Sequence, residues 1–316
     1  MRKDSVLRTQ LSGPSNQNSG FSTLHSATRL LALAGKRRIA VSPYRSLAIS
    51  AHRLQVVLFL FATALSAQAQ LSTCDPNSVI LSLIPAMPIG GGYSATTAAT
   101  RALQAAVQTR GDQIVVDPSA AKSTYCAGAT YMIFVRALQT LLPDSVFSGN
   151  VAAAFAIRGQ PDGVGVWGRW NANGPGTACL FKELVLGRSF TSFEEAQPGD
   201  FMKIFWSSAV GAREHGHSVI YLGRAQRNGL EMVRFWSSNQ PNGYGEKIVP
   251  RSKIANAIFS RLEVPSNSVR AVTLPERNRY LASLLSRNSS FAEALAESGA
   301  EPSFASDRQS TPLRNP

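Results

Sequence analysis

Helical and strand-like periodicities occupy different parts of this chain. Apolar residues recur at helical spacing over residues 94–109, and again from Cys126 to residue 142, where Pro143 stops the pattern. Residues 113–118, between these two helices, predict a short strand. A further short helix is predicted at 178–185. Residues 70–93, with three prolines and a run of three glycines, are expected to be extended or loop-rich.

A strand-rich region follows, in which apolar side chains return at every second position. Three strands are predicted at residues 200–206, 217–222 and 230–236, and a fourth near 260–264. The first three follow one another closely, which is typical of an antiparallel meander. Helices followed by such a meander predict an α+β fold.

The pattern of the N-terminal region predicts a leader segment for export. Residues 56–66 are an apolar run behind Arg53, and small residues at 67 and 69 follow it, which is the pattern of a secretory signal peptide over about residues 53–69, cleaved after Ala69. A membrane span needs about 20 apolar residues, so a retained anchor is the weaker alternative. A lipoprotein signal ending at Cys74 is another. One interpretation of the long stretch before the run is a start codon assigned too far upstream.

These segments divide the chain into a leader (1–69), a folded domain (70–274) with an insertion at 144–198, and a C-terminal region (275–316). The pattern over 275–299 predicts an amphipathic helix, and the polar residues 301–316 predict a disordered tail. We expect export to the periplasm or the outside of the cell, with no stable membrane span.

Net charge supports the same division. The formal charge of +13 would by itself suggest nucleic-acid binding, but residues 1–69 hold nine lysines and arginines against one aspartate. The remainder has 23 basic and 18 acidic residues. This small excess does not indicate a nucleic-acid partner. It suits an anionic polymer such as a cell wall, and equally well it suits simple solubility.

The mature chain retains three cysteines, and Cys126 is the candidate nucleophile. In an oxidising compartment two cysteines tend to pair, and a Cys74–Cys179 bridge would leave Cys126 free, although three pairings are open. A helix N-terminus favours the reactive thiolate, and its free amides can donate to an oxyanion. The alternative for Cys126 is a buried, unreactive thiol.

Histidines are scarce, which narrows the choice of a base. His25 and His52 fall in the leader, so the mature chain offers His215 and His217. His217 opens a predicted strand and shares a face with Val219, whereas His215 lies in the preceding loop. A surface position without a catalytic role is the alternative for both.

The order of these motifs resembles the NlpC-type peptidoglycan peptidases and the related CHAP amidases. The resemblance covers about residues 115–245 and is carried by Tyr125-Cys126-Ala127-Gly128, by Pro198-Gly199-Asp200 before a strand, and by Gly216-His217-Ser218 at the start of the next. It implies a papain-like fold in which the cysteine helix packs on an antiparallel sheet. It also implies Cys126 as nucleophile, His217 as base, a peptidoglycan or peptide substrate cut at an amide bond, and no cofactor.

The same resemblance implies a polar residue on the following strand that orients the imidazole. Asn239 is the preferred candidate, Ser237 shares its strand face and stays open, and a plain turn is the alternative for Asn239.

The chain departs from the family pattern in two places. Ala127 stands where the NlpC type has serine, and His217 follows Cys126 by 91 residues, which implies an insertion. Trp167 and Trp170 in that insertion are candidates for a substrate-binding wall, with packing in the core as the alternative. Tyr125, directly before the cysteine, is the third candidate substrate contact.

Other classes find little support in the sequence. Neither a His/Cys metal spacing nor a phosphate-binding glycine loop is present. The resemblance, together with the predicted signal peptide, implies an exported cysteine hydrolase, either a stem-peptide endopeptidase or a muramoyl-alanine amidase. A non-catalytic wall-binding module that uses the tryptophan segment, and a papain-like acyltransferase, are the alternatives.

Overall fold

The computed structural model describes residues 74–303. Their helices are α1 (Pro76–Leu83), α2 (Thr97–Ala106), α3 (Cys126–Leu141), α4 (Gly149–Phe155), α5 (Gly165–Trp170), α6 (Gly176–Leu184), α7 (Arg279–Ser283) and α8 (Phe291–Ser298). The predicted leader and most of the predicted tail lie outside the described residues. None of the helices between residues 74 and 303 is long and apolar enough to cross a membrane.

An antiparallel sheet of seven strands supports the rest of the fold. The strands of residues 74–303, including four outside this sheet, are β1 (Gly90–Gly91), β2 (Val107–Arg110), β3 (Gln113–Val116), β4 (Gly187–Phe190), β5 (Phe201–Phe205), β6 (Val210–Gly211), β7 (Gly216–Arg227), β8 (Leu230–Asn239), β9 (Gly243–Pro250), β10 (Asn256–Leu262) and β11 (Asn288–Ser289). The large sheet has the order β1-β9-β8-β7-β5-β10-β4, and β2–β3 and β6–β11 form separate pairs. This mixture of helices and antiparallel strands confirms the predicted α+β class.

Several predicted elements are confirmed. The meander is present as β5, β7 and β8, which are neighbours in the sheet, and α3 begins at Cys126. The strand predicted at 113–118 is β3, and the short helix near 178–185 is α6. The fourth predicted strand is β10, which begins earlier, at Asn256, and ends at Leu262.

The loop expected over residues 70–93 is wrong in part, because α1 lies within it. Pro76 lies in the first turn of α1. A backbone N–H at that position would have no acceptor within the helix, so a proline there does not prevent the helix from forming. Asp75 caps this helix by accepting from the amides of Asn77 and Ser78. The long amphipathic pattern of 275–299 is likewise divided into two short helices, α7 and α8.

Helix α3 is the centre of the core. It packs against β7 and β8 on one side and α1 on another, and eleven of its sixteen residues are buried. A helix that is apolar on nearly all sides can be stable only where other elements surround it. Its N-terminal residue is therefore held on a rigid element.

The prediction that Trp167 and Trp170 form a substrate-binding wall is wrong. Each side chain is only 2% exposed. Trp170 stacks on Phe134 of α3 with ring centroids 4.6 Å apart, and its indole N–H donates to the Ala127 carbonyl at 3.2 Å. The spacing of three residues places both rings on one face of α5, and α3 covers that face.

Arg169, between the two tryptophans, fixes the inserted segment to the rest of the domain. Its guanidinium is fully buried and pairs with Glu183. It also donates to the carbonyls of Gly163 and Gly165, both at 3.0 Å, and of Pro275 at 2.8 Å. A buried cation with this many acceptors holds the insertion in place.

We predict that Trp170→Ala lowers the free energy of unfolding by about 3–5 kcal/mol, because it removes a large buried ring. Urea unfolding followed by circular dichroism measures the change. Leu285→Ala, at a side chain that is 52% exposed, is the control and should cost less than about 1 kcal/mol. A Trp170 variant as stable as the wild type would restore the surface-wall interpretation.

Candidate active site

Cys126 lies at the first position of α3, where the sheet meets the helix. Tyr125 precedes the helix, and no side chain among the described residues caps this end, so the first amides remain available to a ligand. The junction is fixed by the Ser238 hydroxyl, which donates to the Thr124 carbonyl at 2.7 Å. This bond ties the approach to α3 directly to β8.

Gly128, two residues after the cysteine, is required by packing. A β-carbon there would lie 2.6 Å from a methyl group of Leu103 and 2.7 Å from the Thr124 hydroxyl. Any larger residue would push α3 away from α2 and displace the cysteine from the end of the sheet.

His217 and Asn239 are brought together by neighbouring strands. His217 is the second residue of β7 and Asn239 the last of β8, and their side chains meet with Nε2 3.0 Å from Oδ1. The Asn239 amide nitrogen donates to the carbonyls of Ser237 and Gly245, at 3.1 and 2.8 Å. Because both amide hydrogens have acceptors, the oxygen is the atom that faces the imidazole.

This arrangement fixes the tautomer of the imidazole. Asn239 Oδ1 accepts a hydrogen bond, so Nε2 of His217 carries a hydrogen, and Nδ1 is the nitrogen left for the cysteine. The His217 side chain interacts with the Cys126 thiol and favours its thiolate. Cys126, His217 and Asn239 thus form one continuous row of side chains, in which Asn239 orients His217 and His217 acts on Cys126.

Ser237, the alternative third residue, does not contact the ring. Its side chain is fully buried, and its hydroxyl donates to the Ser218 carbonyl at 2.7 Å. Ser237 therefore joins β7 to β8 behind the site, and of the two candidates Asn239 is the residue that orients His217.

Two aromatic rings hold the imidazole from its sides. Trp206 stacks on His217 with centroids 6.3 Å apart, and Phe235 presents an edge-to-face contact at 5.7 Å. Together they limit rotation of the ring and shield the His217–Asn239 hydrogen bond from water.

Burial alone would raise the pKa of the Cys126 thiol, but its neighbours have the larger combined effect. The His217 hydrogen bond and charge, the Ser218 amide and the charge of Lys203 all favour the thiolate. The net result is a pKa of about 6, lowered from 9.0. A thiolate paired with an imidazolium is the nucleophilic form of a cysteine.

Tyr93 belongs to the site, although it was not singled out from the sequence. Its hydroxyl interacts with Cys126, and burial together with the nearby thiolate raises its pKa well above the ordinary value. Tyr93 reaches the site because two glycines allow close packing around β1: a β-carbon on Gly243 would lie 2.2 Å from the Gly90 carbonyl oxygen, and one on Gly91 would lie 2.1 Å from the Lys122 carbonyl oxygen. The glycine run at 90–92 was the available signal.

A buried ion pair supports the start of β7. Lys203 Nζ lies 2.6 Å from Glu214 Oε1, with side chains 12% and 2% exposed. The other Glu214 oxygen accepts from the amides of Gly174 and Gly211, at 2.6 and 3.2 Å. The pair therefore fixes the turn from which His217 projects. His215 lies in that turn and is exposed.

The Cys74–Cys179 bridge, one of three pairings left open by the sequence, is not formed, because all three cysteines are free. Cys179 faces the apolar cluster that contains Phe205 and Leu281, whereas Cys74 is exposed. Burial raises the pKa of the Cys179 thiol to about 12, so this thiol stays protonated near neutral pH and is unreactive.

Of the three predicted substrate contacts, Tyr125 alone has exposed surface. It is half-buried, its hydroxyl is hydrogen-bonded to Thr100, and its ring lies 6.4 Å from that of Trp167. It remains a predicted contact because it borders the cysteine.

Comparison with known proteins gives no independent evidence about this site. Neither a protein-family model, nor a curated protein, nor a solved structure matches the chain. Among the described residues, no group of three or more histidine, cysteine or carboxylate side chains is placed to hold a metal ion. The functional assignment therefore depends on the chemistry of the row itself.

We predict that the Cys126 thiolate forms with a midpoint near pH 6, because a thiol with a lowered pKa is ionised above that value. In His217→Ala, the hydrogen bond and the charge are lost while burial remains, so the midpoint should rise to 9.0 or above. The ultraviolet absorbance of the thiolate, with Cys126→Ser as the baseline, measures both. Identical midpoints in the wild type and His217→Ala would contradict the pairing.

Proposed function

We propose that this protein is an exported cysteine hydrolase of papain-like fold that cuts an amide bond in peptidoglycan. The row formed by Cys126, His217 and Asn239 is the observation that carries the proposal. Acyl transfer by cysteine requires a nucleophilic thiol, a base and a group that orients the base. Here the thiol lies at a helix start, the imidazole on a strand and the orienting side-chain amide on the next strand.

The first half of the reaction follows from the row. His217 holds the proton taken from Cys126, and the thiolate attacks the carbonyl carbon of the amide. The resulting oxyanion accepts hydrogen bonds from the amides at the start of α3. The proton on Nδ1 of His217 then passes to the leaving nitrogen, the C–N bond breaks, and a thioester remains on Cys126.

The second half regenerates the enzyme. His217 takes a proton from a water molecule, whose oxygen attacks the thioester, and the C–S bond breaks to release the acid. Asn239 keeps the imidazole in place through both proton transfers. The Tyr93 hydroxyl, which interacts with the same sulfur, is a second donor beside the reacting carbonyl.

Peptidoglycan is proposed as the substrate for two reasons. The motif order resembles that of the NlpC-type peptidases and CHAP amidases, and the signal peptide expected before residue 70 would deliver the enzyme to the wall. The alternative of a non-catalytic wall-binding module loses its proposed surface, because Trp167 and Trp170 are in the core.

We expect the purified protein to release peptide fragments or free stem peptides from peptidoglycan. Cys126→Ala should lower the rate by more than about a thousandfold, because it removes the nucleophile. Mass spectrometry of the soluble products measures the cleavage. It also separates an endopeptidase, which cuts within the stem, from an amidase, which frees the whole stem.

Cys74→Ala is the matched control, since it removes an exposed cysteine, and it should retain full activity. Cleavage that survives Cys126→Ala would contradict the mechanism. Wall binding without cleavage by the wild type would favour the binding module.

A further inference from the structure

A cleft of about 240 Å³ opens beside His217. Clefts that enclose a whole small ligand are typically about 300–1,000 Å³, so this cleft suits one part of a larger substrate. Its lining residues are Tyr93, Trp206, His215, Gly216, His217, Gln240 and Lys247. A group bound there would lie next to the reacting amide.

The lining contains a lysine and two histidines but no carboxylate. The two acidic residues adjacent in sequence to this lining already hold other cations: Glu214 pairs with Lys203, and Glu246 pairs with Arg234 at 3.0 Å. Lys247 has no ion-pair partner within residues 74–303. Its charge therefore faces the cleft without a counterion from the protein.

The register of β8 and β9 directs Lys247 toward the site. Gly243 lies opposite Asn239 and Gly245 opposite Ser237. Along β9, these two glycines lie between Lys247 and the end of the sheet that carries Cys126, His217 and Asn239. Lys247 shares their face of β9 because side chains alternate along a strand. Its stem runs back past these positions, and Nζ lies 3.5 Å from the Gln240 carbonyl at the turn.

We propose that Lys247 is the specificity residue of an anion subsite, which selects substrates with a free carboxylate beside the scissile amide. This inference rests on the proposed function and narrows its substrate class to acidic peptides. An ammonium group pairs with a carboxylate through a charge-assisted hydrogen bond, whereas an amide at the same position offers no charge. Lys247 is exposed to solvent, so the preference should be moderate and should weaken with added salt.

Two synthetic stem peptides test the subsite. One is L-alanyl-γ-D-glutamyl-L-lysyl-D-alanine and the other has the glutamyl α-carboxylate converted to an amide; both are blocked as amides at the C-terminus. We expect wild-type kcat/KM to favour the carboxylate form by about five- to tenfold. Lys247→Met should remove the preference through KM with little change in kcat. Lys247→Arg should keep most of it, and Lys253→Met, at an exposed lysine of the β9–β10 connection, should leave it unchanged.

Binding separates failure of the subsite from failure of the proposed function. Calorimetry with Cys126→Ala and with Cys126→Ala/Lys247→Met measures the affinity for both peptides without any cleavage. Carboxylate-dependent affinity that is lost in the double variant supports the subsite, even if the wild type cleaves neither peptide. Equal affinity for the two peptides, or a preference that survives Lys247→Met, would overturn the subsite, while cleavage of both peptides would still support the hydrolase.

Discussion

The hydrogen bond between Asn239 Oδ1 and His217 Nε2, 3.0 Å long, determines what Cys126 can do. It leaves Nδ1 as the nitrogen that faces the sulfur, and so it sets the direction in which the proton moves. Its own geometry depends on Asn239 being held by two backbone carbonyls, one of them from the glycine-rich start of β9. The reactivity of a thiol on a helix is thus controlled by hydrogen bonds within the sheet.

Such control requires that helix and sheet keep a fixed distance, and several contacts serve this purpose. Ser238 binds the backbone just before α3, Gly128 lets α3 approach α2, and the buried rings of α5 cover the side of α3. The insertion between α3 and β5 is therefore part of the support of the nucleophile. Its tryptophans belong to the helix packing, and the cleft proposed to receive the substrate is lined instead by residues that include Tyr93, Gln240 and Lys247.

Sequence periodicity predicted the elements that carry the row, because α3 and the strands β5, β7 and β8 have regular apolar patterns with proline or glycine at their limits. Cys126 and His217 were candidates for the same reason, since each stands at the start of such an element, whereas Asn239 was implied by the resemblance to the NlpC and CHAP families and lies beyond the strand predicted at 230–236. Sequence periodicity could not predict contacts between residues that are far apart in the chain. Tyr93 is positioned by close backbone pairing of Gly91 with Gly243, 152 residues further along the chain, and alternation alone cannot distinguish Ser237 from Asn239. A Trp-x-x-Trp spacing shows that two rings share a helix face, but what covers that face depends on tertiary packing.

The central claim is that His217 activates Cys126, and competition among the three cysteines tests it most directly. The native protein is treated briefly with a limiting amount of iodoacetamide at about pH 7, where an ordinary thiol is mostly protonated, and the labelled peptides are identified by mass spectrometry. Activation predicts that Cys126, although only partly exposed, is labelled before the exposed Cys74, and that buried Cys179 is not labelled. Labelling of Cys74 first, with Cys126 unmodified, would contradict the account.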